Sequence, residues 1–299
     1  MPLADSSFKN CVDCGYNNKA MCLLHGCRLL FLLNNYEGSD SFMISTFDFF
    51  GYEIPKKERY QSIKQVGFDK VSLWWSNDFG DENFQSNPQD ARDMGLIIEN
   101  IHTPFKDVNN FWLNNIDGDA LFENFLSIVD DCGDNEIPIM VVHLSSGNNP
   151  PPFNEMGLNR IKRIIEKAEK RNVNVAFENL RKTEYLEYVL GNIASPRAGF
   201  CYDSGHHNCW AANEDLLSKY GSRLMTLHLH DNDGSDDQHL LPFEGTADWP
   251  SIMEGIAKTG FTGAVSMEAV NIGYETMSAK EFLHELFSRA NKLESLMKK

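Results

Sequence analysis

Eight short runs of β-branched and aromatic residues recur along most of the chain, and amphipathic stretches separate them. In the stretch LNRIKRIIEKAEKR at 158–171, for example, Ile161, Ile164, Ile165 and Ala168 fall on one helical face. This alternation predicts parallel βα units, because consecutive parallel strands need a crossover that a helix usually provides. Eight units within 299 residues predict one (β/α)8 TIM barrel. The predicted strands are 42–48, 70–75, 96–102, 138–144, 174–179, 198–203, 224–230 and 263–269, and further helices are predicted at 121–131, 251–259 and 281–297.

An open, doubly wound sheet is the main alternative for such a pattern. That fold usually carries a glycine-rich phosphate loop after its first strand. Here the segment FDFFGYE at 47–53 stands in that place, with a single glycine. The barrel is therefore the favoured fold.

The first 41 residues stand outside the eightfold pattern. They hold a cluster of cysteines with His25 nearby, which is a candidate for a structural zinc site, although regularly spaced cysteine pairs are missing. We predict that residues 1–41 form an N-terminal extension that is not part of the barrel, and that the catalytic domain spans 42–299. The clustered cysteines are Cys11, Cys14, Cys22 and Cys27.

The charge balance restricts the partners of the protein. With 27 Lys and Arg against 43 Asp and Glu, the net charge is -16, which repels phosphate backbones and anionic lipids. No apolar run approaches the roughly 20 residues that cross a bilayer. These features predict a cytoplasmic protein that acts on a small molecule, without nucleic-acid or membrane partners. They leave open whether it forms a homo-oligomer.

Six successive predicted strands end in side chains that can bind a metal ion. Each alone is weak support, because a histidine at a strand end is more often simply hydrogen-bonded. In a barrel, however, these ends face one small mouth, where several carboxylates and imidazoles are most simply compensated by a divalent cation. The mixed ligand set fits Zn²⁺, Mn²⁺, Fe²⁺ or Co²⁺ better than Ca²⁺. The six side chains are His102, His143, Glu178, Asp203, His228 and Glu268.

The segment LHLHDNDGSDDQH at 227–239 adds histidines and aspartates where the seventh strand gives way to a loop. Strand alternation places His228 and His230 on the same face. We interpret His228 as the ligand and His230 as the less suitable one. The aspartates around Gly234 are interpreted as turn formers, and they are Asp231, Asp233 and Asp236.

The motifs AFENL, CYDSGH, LHLHD and SMEA make the chain resemble the xylose-isomerase-like TIM-barrel superfamily of sugar phosphate isomerases and epimerases, which also contains endonuclease IV. The resemblance runs from about Phe42 to the C-terminus. In the epimerase branch, one divalent metal, often Mn²⁺, is held by residues of the last four strands. The resemblance therefore implies a site for Mn²⁺ or Zn²⁺, with Co²⁺ or Fe²⁺ as alternatives, whose ligands are Glu178, Asp203, His228 and Glu268.

The resemblance also implies the activity, a metal-dependent isomerisation or epimerisation of a sugar or sugar phosphate. Glu178 and Glu268 would transfer a proton next to the chelated carbonyl, and His206 would orient an oxygen or assist the transfer. Characterised ketose epimerases commonly carry an Arg in the loop after the metal histidine, which the segment 239–249 lacks. The candidate substrate contacts are Lys106, Arg181 and Trp249.

The endonuclease branch of the same superfamily implies an alternative function. There, three zinc ions use further ligands, and this chain keeps matching positions for them. A multinuclear zinc phosphodiesterase or related hydrolase is thus the alternative, although the acidic chain shows no basic track for DNA. The additional metal-ligand candidates are His102, His143, His206, Asp237 and His239.

Overall fold

The computed structural model describes residues 42–77 and 83–298. The N-terminal extension predicted for 1–41, with its cysteine cluster, lies outside the described residues, and so the boundary between the two parts stays a prediction. Within the described ranges, no helix combines the length and the apolar character that crossing a membrane requires.

Parallel strands form an eight-stranded sheet in the order β7-β6-β5-β4-β3-β2-β1-β8. The predicted TIM barrel is confirmed, and each predicted strand contains an observed one. Differences are confined to strand ends, which periodicity locates poorly because pairing, not hydrophobicity, decides where a strand ends. The strands are β1 (Ile44–Phe47), β2 (Lys70–Trp74), β3 (Ile97–His102), β4 (Ile139–Val142), β5 (Asn174–Glu178), β6 (Ala198–Asp203), β7 (Leu224–His228) and β8 (Val265–Met267).

The barrel closes between its last two strands. On one side, β8 pairs in parallel with β1, where Ile44 lies opposite Val265. On the other side, a parallel bridge joins Leu229 to Met267. The Leu229 N–H donates to the Ser266 carbonyl at 2.9 Å, and the Glu268 N–H donates to the Leu229 carbonyl at 3.0 Å. These bonds bring the end of β7 against the end of β8.

Helices between the strands pack their apolar faces against the sheet. The helix predicted at 158–171 is observed as α4 (Glu155–Arg171), with the predicted apolar face buried. It begins earlier because the Asn154 side chain accepts the Gly157 N–H at 2.9 Å and caps the first turn. The other α-helices of the described chain are α1 (Lys56–Val66), α2 (Asn87–Asp93), α3 (Ile116–Asp134), α5 (Thr183–Asn192), α6 (Ser204–Trp210), α7 (Leu216–Tyr220), α8 (Trp249–Lys258) and α9 (Ala279–Met297).

The barrel interior contains a layer of small, largely polar side chains beneath the mouth. Asn100 Nδ2 donates to Thr226 Oγ1 at 3.0 Å, and the hydroxyl oxygens of Ser72 and Ser266 lie 3.4 Å apart. All four residues are buried. Because side chains alternate along a strand, the inward positions two residues further on form the next layer, at the mouth.

Candidate metal centre

The mouth layer takes one side chain from the carboxyl end of each strand or, for His143 and Glu268, from the residue just after it. The first two strands supply aromatic rings, and the six others supply imidazoles and carboxylates. The Phe47 ring lies 6.0 Å from the ring of His102 and 6.1 Å from that of His228. The predicted strand-end residues are therefore brought together on one level. The layer consists of Phe47, Trp74, His102, His143, Glu178, Asp203, His228 and Glu268.

Glu178 lies at the centre of this layer, contacted by four imidazoles. Its Oε2 lies 3.1 Å from His143 Nε2, 3.3 Å from His102 Nε2 and 3.3 Å from His228 Nδ1. Its Oε1 lies 2.9 Å from His206 Nδ1. The residue is only 2% exposed. Such a carboxylate is positioned to bridge several ligand groups and not to contact bulk water.

The remaining predicted ligands join Glu178 in one connected cluster. His228 Nδ1 lies 3.1 Å from Glu268 Oε2. Asp203 Oδ1 accepts the His206 N–H at 2.6 Å, and its Oδ2 lies 3.1 Å from His230 Nε2. The ligand atoms of Glu178, Asp203 and His206 all lie within 4.8 Å of one another, a spacing that one ion can span.

A second cluster lies beside the first, built on Asp237. Its Oδ2 lies 3.2 Å from His206 Nε2 and 3.3 Å from His239 Nε2. The His230 ring stacks on that of His239, with centroids 4.0 Å apart. Burial lowers the pKa of His239, but the neighbouring carboxylates of Asp237 and Glu268 outweigh this effect and raise the pKa to about 9. The additional ligands predicted from the sequence are thus also brought together at the mouth.

Three histidines are held in a tautomer that suits metal binding. The Nδ1–H groups of His102, His206 and His239 donate to backbone carbonyl oxygens of Thr103, Asn179 and Glu268, at 2.8, 3.0 and 3.0 Å. The carbonyl can only accept, and so Nδ1 carries a hydrogen and Nε2 is the nitrogen that a metal ion would coordinate, with release of its proton where the imidazole is charged. Metal-binding histidines are typically oriented in this way by their second nitrogen.

His228 supplies a further sign that the residues fit a cation. It is 1% exposed, and its Nδ1 lies 3.1 Å from Glu268 and 3.3 Å from Glu178 without the geometry of a hydrogen bond. Buried imidazole nitrogens are usually hydrogen-bonded or metal-bound, and coordination to a metal would satisfy a nitrogen that faces two carboxylates in this way. The donor set of imidazoles and carboxylates fits Zn²⁺, Mn²⁺, Fe²⁺ or Co²⁺.

The ionisation of the cluster follows from opposed effects of burial and charge. Burial raises the pKa of Glu178, but His143 and His228 lower it more, to well below its usual range. The pKa of Glu268 is raised by burial and lowered by His228 to about 2. Burial lowers the pKa of His228, but Cys201 and the two glutamates raise it well above normal. The carboxylates therefore stay charged and attract positive charge into the site.

The cluster opens into a cavity of about 520 Å³. Aromatic walls were not predicted from the sequence, although Phe47 and Trp74 end the first two strands and the strand-end argument applies to them equally. Phe105 and Trp210 follow strands in non-strand segments, where periodicity gives no signal. The apolar and aromatic lining residues are Phe47, Phe49, Trp74, Phe105, Leu180, Trp210, Val270 and Ile272.

Of the three substrate contacts predicted from the sequence, one lines the cavity and two do not. Arg181 lines the cavity. Lys106 is exposed and is not among the lining residues. Trp249 is buried away from the cavity, and its indole N–H donates to Asp231 Oδ2 at 2.8 Å. Of the three, Arg181 is therefore the residue placed to contact a molecule bound in the cavity.

Asp231 organises the loop between β7 and α8, which carries Asp237 and His239 of the second cluster. This fully buried carboxylate accepts the backbone N–H groups of Asn232, Phe243 and Ala247 at 2.9 to 3.1 Å, in addition to the Trp249 indole. The sequence indicated only a turn former here. The predicted turn itself is confirmed around Gly234, where Asp233 Oδ1 accepts the Ser235 N–H at 2.9 Å.

We expect Asp231→Asn to lower the free energy of unfolding by about 3 kcal/mol, because the new amide N–H₂ faces buried donors that the carboxylate satisfied. Chemical denaturation monitored by circular dichroism measures the change. Asp236→Asn, at an exposed position of the same loop, is the control and should stay within about 0.5 kcal/mol. Equal stabilities for the two variants would contradict the anchoring role of Asp231.

The chain matches the family model described as the xylose isomerase-like TIM barrel over residues 60–286. The chain belongs to this family. This confirms the superfamily predicted from the strand-end motifs.

Two curated relatives are similar in sequence. Uncharacterized protein y4fM of Sinorhizobium fredii is 33% identical over 138 residues, and the match spans 43% of this chain and 43% of that protein's own length. Uncharacterized protein MJ1311 of Methanocaldococcus jannaschii is 24% identical over 218 residues, covering 68% of this chain and 74% of the relative.

Several solved structures share the fold. D-psicose 3-epimerase from Clostridium cellulolyticum H10, determined with D-tagatose, has a TM-score of 0.69 at 15% identity, covering 85% of this chain and 99% of the other. A D-tagatose 3-epimerase-like protein has a TM-score of 0.67 at 20% identity, covering 86% and 97%. An L-ribulose 3-epimerase has a TM-score of 0.68 at 14% identity, covering 86% and 95%. At these identities the likeness concerns the fold.

Proposed function

We propose that the chain is a metal-dependent sugar isomerase or epimerase that transfers a proton next to a carbonyl group. The observation that carries this proposal is the meeting of two carboxylates, Glu178 and Glu268, at His228 Nδ1, 3.3 and 3.1 Å away. Two carboxylates beside one ligand position, at the floor of an aromatic cavity, meet the need of a reaction that removes a proton from carbon and returns it.

The metal ligands in this proposal are Glu178, Asp203, His228 and Glu268. Mn²⁺ or Zn²⁺ suits these side chains, with Co²⁺ and Fe²⁺ in the same ligand class. A divalent cation held there would polarise the carbonyl of a sugar and make the neighbouring C–H more acidic. His102 and His143 contact Glu178 and fix the orientation of its carboxylate.

The two carboxylates are suited to different parts of this reaction. Glu268 has a side chain that is 12% exposed and lines the cavity, and so it can reach a proton on a bound molecule. Glu178, enclosed by imidazoles, is the more constrained group. His206 lines the cavity between the clusters, and we assign to it the orientation of a substrate oxygen.

The size of the cavity and the net charge of the protein support a small sugar as the substrate. A cavity of about 520 Å³ falls within the range of small-molecule sites. The net charge of -16 works against a duplex, whose phosphates need many basic contacts. The epimerases of similar fold, named for psicose and ribulose, are in accord with this substrate class.

Hydrogen exchange at carbon tests the proposal. We expect the Mn²⁺-loaded protein, incubated in heavy water with a panel of ketoses and ketose phosphates, to introduce deuterium next to the carbonyl of at least one sugar. Removing the metal with a chelator should abolish the exchange, and adding Mn²⁺ back should restore it. Nuclear magnetic resonance detects the label. Absence of label from every sugar of the panel would count against the isomerase.

A multinuclear hydrolase is the second candidate, favoured by one observation. The mouth holds more ligands than one metal needs, since His206, Asp237 and His239 form a second cluster beside Glu178. Two or three metals could activate water for cleavage of a phosphodiester.

Elemental analysis separates the two candidates. We expect one metal per chain for the isomerase, whereas two or three would favour the hydrolase. An abasic DNA duplex, incubated with the metal-loaded protein at physiological salt, supplies an independent readout. Cleavage of the duplex without deuterium entering any sugar would replace the isomerase with the hydrolase.

A further inference from the structure

A stack of three side chains leads from the metal centre along the wall of the cavity. The Trp210 ring lies 4.7 Å from the ring of His206, at an interplanar angle of 22°. The guanidinium carbon of Arg181 lies 3.7 Å from the centroid of the Trp210 ring. All three residues line the cavity. A guanidinium held against an indole face is oriented by this contact, and its N–H groups remain available at its edge.

Arg181 lacks a neutralising partner among the residues that the structure describes, where no carboxylate lies within 4.0 Å of its guanidinium. Most other described arginines pair with a carboxylate or donate to another polar group of the protein, as Arg92 and Arg223 do to backbone carbonyls. Arg160 pairs with Asp119, and Arg289 pairs with Glu244 and Glu285. Arg181 is also the only lysine or arginine among the described residues that line the cavity. Its positive charge therefore faces the cavity without a direct ion-pair partner.

We propose that Arg181 binds an anionic group of the substrate, a carboxylate or a phosphate, and that Trp210 positions the guanidinium for this contact. The inference rests on the proposed function, since it takes the carbonyl end of the same molecule to bind at the metal centre. The substrate class becomes an anionic sugar, either a keto sugar acid or a ketose phosphate. The planar, always charged guanidinium matches both groups through paired N–H donors.

The aromatic walls of the cavity are consistent with Arg181 as the single positively charged contact for a substrate. Phe105 and Trp74 contact one another with ring centroids 5.6 Å apart, and both face the cavity. Such surfaces pack against the C–H faces of a sugar and give no anion contact of their own. Selection for charge therefore depends on Arg181, and its loss should change charge preference more than binding of the sugar itself.

Calorimetric titration of the metal-loaded protein tests the inference, with D-fructose, D-fructose 6-phosphate and 5-keto-D-gluconate as probes. We expect at least one anionic probe to bind at least about tenfold more tightly than D-fructose. Because phosphate and carboxylate can also contact a metal directly, the Arg181→Gln variant is needed to show whether the preference for an anion comes from Arg181. Arg181→Gln should remove the tenfold preference, leave D-fructose binding within twofold, and keep the metal content unchanged. Comparison of the two anions shows which source of charge the site accepts.

Two further variants separate the contact from general effects. Trp210→Leu should weaken anion binding by about three- to tenfold, because Arg181 loses its platform, whereas Trp210→Phe should restore most of it. Arg163→Gln removes an exposed arginine that lies over Phe122 outside the cavity, and all affinities should stay within twofold. Unfolding midpoints confirm that each variant is folded.

The outcomes distinguish this inference from the proposed function. Equal binding of anionic and neutral probes by the unaltered protein would overturn the anion site. A preference for the anionic probes that survives Arg181→Gln would also overturn it, and so would a failure of both anions to bind. Deuterium exchange that is unaffected by Arg181→Gln with every substrate would keep the isomerase and remove the inference. Anion binding that depends on Arg181, in a protein that exchanges no sugar proton, would keep the anion site and remove the isomerase.

Discussion

Replacement of Glu178 by Gln is expected to lower the rate of deuterium exchange by at least about 10³-fold and to remove most of the bound metal. Its carboxylate contacts His102, His143, His206 and His228 at 2.9 to 3.3 Å. Both oxygens of Glu178 face imidazoles, and so an amide of the same shape loses the negative charge and replaces one of the two oxygens by an N–H₂ group that cannot act as a ligand. Elemental analysis and the exchange assay, on the same preparation, measure both effects.

The matched control for this variant is Glu166→Gln, at an exposed position of α4. It changes the net charge by the same amount far from the cluster and should leave metal content and exchange unchanged. Circular dichroism should show the helical content of the unaltered protein for both variants. A folded Glu178→Gln protein that retained full metal content and activity would remove Glu178 from the centre.

Glu268→Gln is expected to separate chemistry from metal binding. The side chain contacts the cluster at His228 and is partly exposed to the cavity, and its amide oxygen can still act as a ligand. We expect exchange to fall by about 10²- to 10⁴-fold, the usual contribution of general acid–base catalysis, while most of the metal is retained.

The comparison with Glu178→Gln makes this second result informative. Loss of activity with metal present identifies Glu268 as the group that moves the proton. Loss of both together would make it a ligand only. Unchanged exchange would show that the proton transfer depends on another group, of which Glu178 is the alternative.

The sequence predicted the fold well because the barrel repeats one local pattern. Each strand carries β-branched or aromatic residues, and each ends where its inward side chain meets the mouth. Asp203 and His228 were therefore predictable from their strand positions alone, and the register that places them opposite each other confirms that they share one level.

The loops were less predictable because their contacts are made at long range. Trp249 begins α8, and its burial depends on Asp231, a partner 18 residues earlier that no periodicity connects to it. Trp210, at the end of α6, contacts His206 four residues earlier in the same helix, but its contact with Arg181, which follows β5, joins two neighbouring βα units. The path of a long loop and the packing of neighbouring units decide these pairings, and the repeating pattern of one strand and one helix contains neither.

The closing bridge between β7 and β8 has a mechanical consequence. Leu229 forms the bridge, and it lies next to His228 in sequence, while its carbonyl accepts the N–H of Glu268. Any breathing motion that parts the last two strands must therefore pull His228 and Glu268 away from each other. A cation bound between these two side chains would therefore also hold the last two strands together, so that loss of the cation and separation of the strands would occur together.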